Sequence, residues 1–502
     1  MTEVGAGLAA ARPAREIRAA ERIHVVGVAG AGASAAALLA DRAGALVGGC
    51  DRGGPSPYTV ALADAGIPMT WSHDAAHVTA VPPPDRLAVT KALTAIQPDH
   101  PELVAARDAG IPVESWQQVI ADAAIGRELI GIAGTHGKST TAGWLVHVLV
   151  TAGMDPCAFV GALLPSTVTG GAPATARWGA GRAFVVEADE YAGNFDAYRP
   201  AIAVLTSAEW DHPDVFRDAA AVTDAFEGWL RRMPLDATVV ANAADPGVRA
   251  ILARLVDRPT TLLTYALLDD DDRTPARPAG ITGRIELADP GGTTLVIDGP
   301  GFSAEPLTVR LGTAGRHNAA NALAVAAAAR VAGMEAPAIV AGLASFTGVG
   351  RRLERKGEAA GVVVYDDYAH HPTAIRETLR AIRQREPGRR VWAVYEPLTY
   401  HRTAALLDAF ADALSGADAV VIADIWAGRD PDTTIASARG LAHAVHTRRP
   451  GMVVDAPGSV EATAAWLSRE VRSGDAVLVM GGGRSYRIAE LLVEALGAME
   501  AG

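Results

Sequence analysis

The residues with the clearest chemical potential lie in one glycine-punctuated stretch at 131–143, Gly-Ile-Ala-Gly-Thr-His-Gly-Lys-Ser-Thr-Thr-Ala-Gly. An apolar run precedes it and a helical apolar pattern follows it, which predicts a strand, a loop and a helix. Loop N–H groups and the positive helix end would face an anion, Lys138 adds charge, and the Ser139 hydroxyl can hold Mg²⁺. A plain glycine turn is the alternative, but packing alone does not explain Gly-Lys-Ser-Thr at a helix start. We predict a phosphate-binding loop, although its glycine spacing misses the general pattern by one residue.

Carboxylates and a histidine follow two further apolar runs. The run Phe-Val-Val ends in Glu187, and Ala-Ile-Ala-Val-Leu at 201–205 leads to His212. Polar groups at the carboxyl ends of parallel strands share one edge of a sheet. Phosphoryl transfer needs a metal that bridges phosphate oxygens, and Ser139, Glu187 and His212 would supply its ligands. From its own segment alone, His212 is equally compatible with a structural role.

A second glycine loop lies near the N-terminus. Its spacing is Gly27-x-x-Gly30-x-Gly32, between an apolar strand and an Ala/Leu helix, and Asp51 ends the next strand. This is a βαβ nucleotide-binding start in which the carboxylate suits a ribose hydroxyl. A dehydrogenase would show Gly-x-Gly-x-x-Gly, so an NAD-dependent oxidoreductase is disfavoured. On the glycines alone, a tight turn between strand and helix stays open.

The last third of the chain carries polar residues that a core does not need. Arg351-Arg352 precede an apolar strand that ends in Asp366-Asp367, and His370-His371 open an amphipathic helical pattern. Adjacent histidines point apart and no cysteine joins them, so a zinc site is disfavoured there. Earlier, Asn318 begins an Ala-rich helix, where it suits either an adenine edge or a helix cap.

Bulk composition limits the class of protein. A chain of 502 residues exceeds one core, and alternating strand and helix patterns predict α/β domains at 1–125, 126–347 and 348–502. A net charge of −12 argues against nucleic acid and anionic membranes as partners. The two cysteines, Cys50 and Cys157, predict neither a disulfide framework nor a metal cluster. Without a signal peptide or a long apolar run, we expect a soluble cytoplasmic protein.

These motifs, taken as a set, resemble those of the Mur ligases, the amide-forming enzymes of peptidoglycan synthesis. The resemblance is carried by Ala-Gly-Thr-His-Gly-Lys-Ser-Thr-Thr at 133–141, Gly-Val-Ala-Gly-Ala-Gly-Ala-Ser at 27–34, Gly-Arg-His-Asn-x-x-Asn-Ala at 315–322 and Tyr-Asp-Asp-Tyr-Ala-His-His-Pro at 365–372. It spans nearly the whole chain. It implies a Rossmann-like N-terminal domain for a UDP-sugar, a central P-loop ATPase-like domain built on a parallel sheet, and a Rossmann-like C-terminal domain for the incoming amino acid.

The resemblance is closest to the branch that adds L-alanine to UDP-N-acetylmuramate. It implies an ADP-forming ligase that joins L-alanine to the lactyl carboxylate through an acyl phosphate, with ATP and Mg²⁺ as cofactors. For partners we expect these two small molecules, neither nucleic acid nor membrane, and a monomer or homodimer.

The resemblance also assigns site residues position by position. The catalytic residues would be Lys138, Glu187, His212, Arg352 and His370. The ATP-binding residues would be Gly134, Thr135, His136, Gly137, Lys138, Ser139, Thr140, Asn318, Arg352 and Asp367. The substrate-binding residues would be Gly27, Gly30, Ala31, Gly32, Ser34, Asp51, His73, His371, Tyr400 and Arg402. The metal ligands would be Ser139, Glu187 and His212.

Three departures from the alanine-adding pattern leave a second ligase open. Lys91 stands in a turn where Ser is usual, and Arg484 stands where Gly-Ala-Gly-Asp is usual. The segment Glu-Tyr-Ala-Gly-Asn at 190–194 resembles instead the muropeptide ligase, which attaches a recycled tripeptide. The alternative is therefore a tripeptide-adding or otherwise specialised Mur ligase. A non-catalytic nucleotide-binding partner is disfavoured, because a scaffold does not need Lys138 and Arg352.

Overall fold

The computed structural model describes residues 4–258, 260–268, 280–302, 305–428, 430 and 432–501. Its strands form three separate sheets of five, ten and six strands in chain order. The predicted α/β fold class is confirmed. The boundaries predicted near 125 and 347 fall between elements of adjacent sheets, and the division itself stays a prediction.

The first sheet is parallel, in the order β3-β2-β1-β4-β5. The strand order reverses between β1 and β4, which is where open α/β sheets bind ligands. The loop after β1 is therefore well placed for a nucleotide. Its elements are β1 Arg22–Val26, α1 Ala31–Arg42, β2 Leu46–Cys50, α2 Val60–Asp64, β3 Met69–Thr70, α3 Ala76–Thr79, β4 Arg86–Val89, α4 Lys91–Ile96, α5 Pro101–Asp108, β5 Val113–Ser115 and α6 Trp116–Ala123.

A buried charge network ties the N-terminal segment to this sheet. Arg86 is 1% exposed and donates to Glu114 at 2.7 Å and Asp122 at 2.6 Å, with Glu21 3.1 Å away. Arg12 donates to the same Glu114 and Asp122 at 2.8 and 2.7 Å. Buried carboxylates of this kind stay charged only while they are paired.

An Arg86→Met variant should be destabilised by about 3–5 kcal/mol, because it leaves buried carboxylates short of a cation. The melting temperature of the full chain measures this effect. The matched control is Arg182→Met, whose side chain is 88% exposed and lies 3.8 Å from Glu128. That change should cost no more than about 0.5 kcal/mol. Equal shifts for the two variants would contradict the prediction.

The central sheet has ten strands in the order β15-β14-β13-β12-β11-β10-β6-β9-β7-β8. It is parallel from β13 to β7 and antiparallel at both ends, so the predicted parallel sheet forms its middle. The strands are β6 Glu128–Ala133, β7 Cys157–Leu164, β8 Ala174–Arg177, β9 Ala183–Ala188, β10 Ile202–Leu205, β11 Thr238–Asn242, β12 Thr261–Leu267, β13 Ile281–Asp289, β14 Gly292–Asp298 and β15 Leu307–Leu311. The helices are α7 Lys138–Thr151, α8 Ser166–Thr169, a 3₁₀ helix Tyr191–Ala197, α9 Ala219–Arg231, α10 Pro246–Arg254, α11 Arg316–Val331 and α12 Ala336–Ser345.

Small side chains allow close packing around this sheet. The alanines of α11 from Ala322 to Ala329 are fully buried in the core that also contains α7. A second core runs without a break from α1 and α6 of the first sheet to the central sheet, where Trp116 meets Phe159 edge to face. The first two parts of the chain therefore share one hydrophobic core.

The third sheet has the order β16-β17-β21-β18-β19-β20 and is parallel except for β16. Its elements are β16 Glu354–Ala359, β17 Val362–Asp367, α13 Pro372–Arg385, β18 Arg390–Glu396, α14 Tyr400–Ala405, α15 Leu407–Leu414, β19 Ala419–Ala423, α16 Ala438–Arg448, β20 Val453–Gly458, α17 Val460–Glu470, β21 Asp475–Gly481 and α18 Ser485–Ala501. Within the described residues, no helix has the length and apolar character needed to cross a membrane.

Candidate active site

The predicted phosphate loop connects β6 to α7, as the sequence pattern indicated. Gly134 and Gly137 have φ angles of 139° and 81°, which favour glycine. A Cβ at Gly134 would lie 2.2 Å from the Thr206 hydroxyl, and one at Gly137 would lie 2.5 Å from Asn321 Oδ1. Both glycines are therefore required by backbone conformation and by close neighbours.

Lys138 begins α7 and bridges the loop to two carboxylates. Its Nζ donates to the Gly134 carbonyl at 2.7 Å and to Glu190 at 2.8 Å, and it lies 3.4 Å from Asp189. Burial opposes the charge, but Glu190 and Asp189 outweigh it and raise the pKa of Lys138. Burial also raises the pKa of Glu190 to about 7, although Lys138 works against that rise. Lys138 therefore stays charged, and its Nζ lies against the backbone of the loop.

Ser139 joins the loop to both neighbouring parts of the site. Its hydroxyl donates to Glu187 at 3.0 Å and accepts from Nη2 of Arg352 at 2.8 Å. The other Glu187 oxygen accepts from the Gly161 N–H at 2.6 Å, where a Cβ would lie 2.9 Å from the carboxylate. The third sheet thus places an arginine directly against the phosphate loop.

The three predicted metal ligands do not form one group. Ser139 and Glu187 are bonded to each other, whereas His212 lies with Asp189 and Glu190, with one ligand atom from each of these three within 4.8 Å of the others. Lys138 lies between the two groups, since it contacts Asp189 and Glu190 and precedes Ser139 in the chain. The metal assignment stays a prediction, and Asp189 and Glu190 are added to its candidates.

The remaining loop residues serve mainly to hold the loop. The Thr135 hydroxyl donates to the Glu209 carbonyl at 3.0 Å and accepts from the Glu209 N–H at 2.8 Å. The His136 ring donates to the Glu209 carboxylate at 2.8 Å, and Thr140 is half-buried in the first turn of α7. The Thr135 N–H also donates to the Ser207 carbonyl at 3.1 Å, so Thr135 positions the loop, and its contact with ATP stays a prediction.

Arg402, predicted to bind substrate, is 1% exposed and is already paired. Its Nε donates to Asp211 at 2.8 Å and its Nη2 donates to Nδ1 of His212 at 3.0 Å. It therefore links the third sheet to the residues that follow β10. Tyr400 lies two residues earlier, half-buried at the start of α14, where Thr399 is the N-cap with a φ of 64°.

His370 faces the same group of charges. Its Nδ1 lies 2.9 Å from the Tyr368 carbonyl, which can only accept, so Nδ1 carries the proton and Nε2 is left to accept. Burial and the Arg402 guanidinium lower the pKa of His370 well below its usual value, despite Asp211. The ring is therefore neutral near pH 7 and can accept a proton only at Nε2.

His371, predicted to lie near the incoming amine, instead faces the phosphate loop. Its Nδ1 accepts from the Thr373 N–H at 3.3 Å as the N-cap of α13, and its Nε2 donates to the Trp210 carbonyl at 3.3 Å. The ring centroid lies 4.8 Å from that of His136. Burial and His136 lower the pKa of His371 to about 4. His371 is an interface residue between the third sheet and the ATP loop.

This interface should weaken in acid. The ordinary pKa of 6.5 is depressed to about 4, so the contribution of His371 is complete above pH 6.5 and is lost as the pH falls toward 4. Between about pH 7.5 and about pH 5, it should amount to about 2 kcal/mol. His371→Asn keeps an N-capping side chain without a titrating ring. Melting temperatures at both pH values should therefore fall less in the variant, and an equal fall would contradict the assignment.

Asp367, predicted to contact the nucleotide, binds backbone instead. Its two oxygens accept from the N–H groups of Leu353 and Ala369, each at 2.7 Å. The turn that it holds contains Arg351 and Leu353 at φ angles of 58° and 49°, and Tyr368 lies between Arg351 and Arg352 at 5.0 and 4.9 Å. Asp367 therefore acts on the nucleotide site through the position of Arg352.

Asn318 does not cap α11, which removes one of its two sequence interpretations. The N-cap is Gly315, and Asn318 Nδ2 donates to the Ala314 carbonyl at 2.8 Å while its Oδ1 accepts from Asn321 at 3.3 Å. Asn321 also touches the loop at Gly137. The pair is buried behind the phosphate loop, and a direct adenine contact of Asn318 stays a prediction.

In the first sheet, the glycine loop divides into an open part and a packed part. Gly27 has a φ of 80° with no atom within 4 Å of an added Cβ, and Gly30 is the N-cap of α1. Asp51 accepts from the Ala29 N–H at 3.1 Å and from the Gly53 N–H at 2.7 Å. The carboxylate thus shapes the loop beside its predicted ribose contact.

Three residues predicted to bind substrate lie in the packed part. A Cβ at Gly32 would lie 2.3 Å from the Trp116 ring, so this glycine is needed for helix packing. The Ser34 hydroxyl donates to the Ala31 carbonyl at 3.0 Å and lies 3.2 Å from the Thr175 hydroxyl, in buried surroundings. Gly32 and the Ser34 hydroxyl therefore have structural roles, and their predicted contact with substrate stays a prediction.

Two departures from the family pattern also have structural partners. Lys91 donates to the carbonyls of Ala192 and Gly193, both at 2.8 Å, so it contacts the other unusual segment directly. Arg484 is 59% exposed and lies 3.2 Å from Glu461 on the surface. Lys91 is therefore engaged by backbone, whereas Arg484 stays largely exposed. His73 lies outside the site as well, beside His100 and Cys50.

Sequence reasoning missed several residues of the site. Asp189, Glu190, Asp211 and Glu209 each pair with a predicted residue. Asp189 and Glu190 come directly after β9, and Glu209 and Asp211 lie in the loop that follows β10, which is the signal that would have identified them. The local sequence pattern could not indicate which of these carboxylates pairs with which basic or polar side chain.

Known protein families and relatives match this chain along nearly its whole length. Three family models match in chain order: Mur ligase family, catalytic domain, at 22–127; Mur ligase middle domain at 132–329; and Mur ligase, glutamate ligase domain, at 351–483. A UDP-N-acetylmuramate–L-alanine ligase of Paenarthrobacter aurescens is 37% identical to this chain, and the match covers 95% of this chain and 97% of the relative. One of Mycolicibacterium smegmatis is 38% identical, over 92% of both chains.

Solved structures extend the likeness. A UDP-N-acetylmuramate–alanine ligase from Thermotoga maritima has a TM-score of 0.75 at 24% identity, over 96% of this chain and 100% of that chain. At this identity the similarity shows a shared fold and no more. A murein peptide ligase from Psychrobacter arcticus has a TM-score of 0.71 at 25% identity, over 95% and 98% of the two chains. With such identity to relatives over nearly its full length, this chain belongs to the Mur ligase family.

Proposed function

We propose that this protein is an ATP-dependent, ADP-forming ligase that joins L-alanine to the lactyl carboxylate of UDP-N-acetylmuramate. The observation that carries the proposal is the contact of Arg352 with Ser139, 2.8 Å long, beside the charged Lys138. It joins two sheets at one anion-binding loop. The names of the relatives that are 37% and 38% identical supply the substrate class.

The residues present fit ATP and Mg²⁺. A glycine loop that leads into a helix start presents N–H groups to phosphate oxygens, and the charged Nζ of Lys138 lies beside this loop, 2.7 Å from the Gly134 carbonyl. A hydroxyl and carboxylates at Ser139, Glu187 and Asp189 are the oxygen donors that Mg²⁺ prefers. When bound, the ion would neutralise charge on the transferring phosphoryl group.

The chemistry follows from the charges of the site. A carboxylate is a poor electrophile, so the substrate carboxylate first takes the terminal phosphoryl group of ATP, which gives an acyl phosphate and releases ADP. Lys138 and Arg352 offset the charge that develops in this step. The amine then attacks the acyl carbon, and phosphate leaves. The amine proton leaves with the departing phosphate, and the neutral His370, whose Nε2 can accept a hydrogen bond, would orient the amine.

The second candidate is a tripeptide-adding ligase. The segment at 190–194 and the murein peptide ligase with a TM-score of 0.71 favour it. The unusual Lys91 does not add weight, because its Nζ already donates to two backbone carbonyls. Arg484 is 59% exposed, so its surface contact with Glu461 does not discriminate between the two candidates. The identity of the relatives therefore favours L-alanine as the amine.

Phosphate release tests the two candidates together. The purified protein would receive ATP, Mg²⁺ and UDP-N-acetylmuramate, with single amino acids and then L-alanyl-γ-D-glutamyl-meso-diaminopimelate as amine. Turnover with L-alanine, and weaker turnover with Gly or Ser, supports the proposal. Turnover with the tripeptide alone would replace it by the second candidate. If no amine causes phosphate release although ATP binds measurably, both candidate functions are rejected.

A further inference from the structure

A second group of chemically active side chains lies in the first sheet's domain, apart from the active site. Its members come from β1, the end of β2, the segment before and within α3, and the start of α5. They converge on one buried carboxylate. They are His24, Cys50, His73, His77, His100 and Glu102.

Four of these side chains are close enough to share one ion. Glu102 lies 2.9 Å from His24 Nε2, 3.1 Å from Cys50 Sγ and 3.1 Å from His77 Nδ1. One ligand atom from each of the four lies within 4.8 Å of every other. A tetrahedral ion with bonds of about 2.0–2.3 Å needs its ligand atoms about 3.3–3.8 Å apart. Small movements of these side chains would therefore be enough to place the four ligand atoms around one ion.

The charges of the group also call for a cation. Cys50 and Glu102 are both 0% exposed, and within the described part of the chain Glu102 forms ion pairs with histidines only. A buried carboxylate without a lysine or arginine partner is costly. A thiolate and a carboxylate together balance one divalent ion, with neutral imidazoles completing the set.

The outer histidines add an independent observation. His100 is 0% exposed, and both of its ring nitrogens are buried without a hydrogen-bond partner among the described residues. Its ring lies 4.4 Å from that of His73, whose Nδ1 is 3.3 Å from the Cys50 sulfur. Buried imidazoles are normally satisfied, so the unpartnered His100 ring, packed on the histidine that contacts the thiol, leaves unsatisfied polar atoms next to this group.

We propose that His24, Cys50, His77 and Glu102 bind one divalent transition-metal ion of the zinc class. Thiolate and imidazole ligands suit Zn²⁺ and Co²⁺ and are unsuited to Mg²⁺ and Ca²⁺. Four protein ligands make a closed site, which is the form of structural rather than catalytic zinc. His73 lies beside the site with its Nδ1 3.3 Å from the Cys50 sulfur, and His100 packs on His73.

The site is joined to the predicted UDP-sugar loop through the backbone. The carbonyl of Cys50 accepts from the N–H groups of Gly27 and Val28 at 2.8 and 3.0 Å. An ion on the Cys50 sulfur therefore fixes the strand end that holds this loop. Its role would be to stiffen the nucleotide-sugar site.

Cobalt gives a direct readout that is separate from activity. The full chain, freed of metal by a chelator, would be titrated with Co²⁺ in excess Mg²⁺, so that oxygen-rich sites are blocked. One equivalent should produce a thiolate-to-cobalt charge-transfer band and intense visible bands of a tetrahedral ion. Zn²⁺ should displace Co²⁺ and bleach these bands. Absence of the thiolate band in the wild-type chain would overturn the proposal.

Matched variants locate the ion. Cys50→Ser should abolish the thiolate band, and His77→Gln, near the surface, should weaken binding by at least about 100-fold. The control is Cys157→Ser, because Cys157 is the other buried cysteine and donates to the Gly179 carbonyl in the central sheet. It should bind Co²⁺ as the wild type does. A band that persists in Cys50→Ser or disappears in Cys157→Ser would overturn the assignment.

Folding is checked separately. Zn²⁺ should raise the melting temperature of the wild-type chain and of Cys157→Ser. His77→Gln, measured in chelator, should melt as the metal-free wild type does but should gain little from Zn²⁺. An equal gain in His77→Gln would place the ion elsewhere and reject this site. Because no measurement here uses turnover, the result is independent of the proposed ligase activity.

Discussion

A Lys138→Met variant is expected to lower kcat by at least about 10³-fold. Lys138 is the one charged side chain at the start of α7, within 2.8 Å of Glu190 and hydrogen-bonded to Gly134. Methionine keeps its length and removes the charge that would offset the transferring phosphoryl group. ADP release under saturating ATP and nucleotide-sugar measures the effect.

The same change leaves two carboxylates unpaired, so its effect on stability must be separated from its effect on chemistry. Burial already raises the pKa of Glu190 to about 7, and loss of Lys138 would raise it further. Adding Glu190→Gln should therefore recover melting temperature without recovering turnover. Lys356→Met, whose partner Glu354 is 3.2 Å away outside the loop, is the control. Recovery of turnover in the double variant would contradict a catalytic role for Lys138.

An Arg352→Ala variant should lower kcat by about 10³-fold with little change in the KM for the amine. The guanidinium reaches the phosphate loop only because the third sheet docks on the central one, where it donates to Ser139 at 2.8 Å. Arg352→Lys should recover little, because a lysine lacks the planar fork that spans several oxygens. ADP release measured while the amine is titrated gives these two constants, and a separate ATP titration gives the KM for ATP.

The control for this prediction is Arg355, in the strand that follows Arg352. Arg355 in β16 pairs with Glu358 on the surface and is 51% exposed, so Arg355→Ala should leave kcat within about twofold. A rise in the KM for ATP with unchanged kcat in Arg352→Ala would assign Arg352 to ground-state binding instead. An unchanged melting temperature would show that the docking of the third sheet does not depend on this contact.

The docking itself rests on several contacts of the third sheet with the loops after β6 and β10. Arg402 to Asp211 at 2.8 Å and His371 to the Trp210 carbonyl at 3.3 Å join the same two parts of the chain as Arg352. A reactive acyl phosphate needs protection from water. The structure thus describes a chain whose third part closes over the phosphate loop.

The amino-acid sequence by itself determined the parts of this protein that depend on local pattern. Glycines at 134 and 137 followed by Lys138 specify a phosphate loop, because positive φ angles and a helix start are local properties. Apolar runs separated by helical patterns were enough for the α/β class. The loop residues after β6 and Glu187 near the end of β9 were predicted on the same basis, whereas Asp189 and Glu190 just beyond β9 were not.

Only the tertiary structure decided which side chains meet. Gly32 and Ser34 belong to a glycine-rich motif, yet Trp116 and Thr175, far along the chain, make them packing residues. The fold also brings the Asp367 carboxylate to two backbone N–H groups, which the sequence did not indicate, and its contact with a nucleotide stays a prediction.

The same holds for the histidine and cysteine group, which the sequence did not indicate. Cys50 and Glu102 are 52 residues apart, and no short metal-binding spacing connects them. Their approach follows from the order of strands in the first sheet, which brings the end of β2 and the start of α5 together. Local periodicity specifies elements and their exposed faces, whereas contacts between distant residues follow from packing, and packing depends on the whole chain at once.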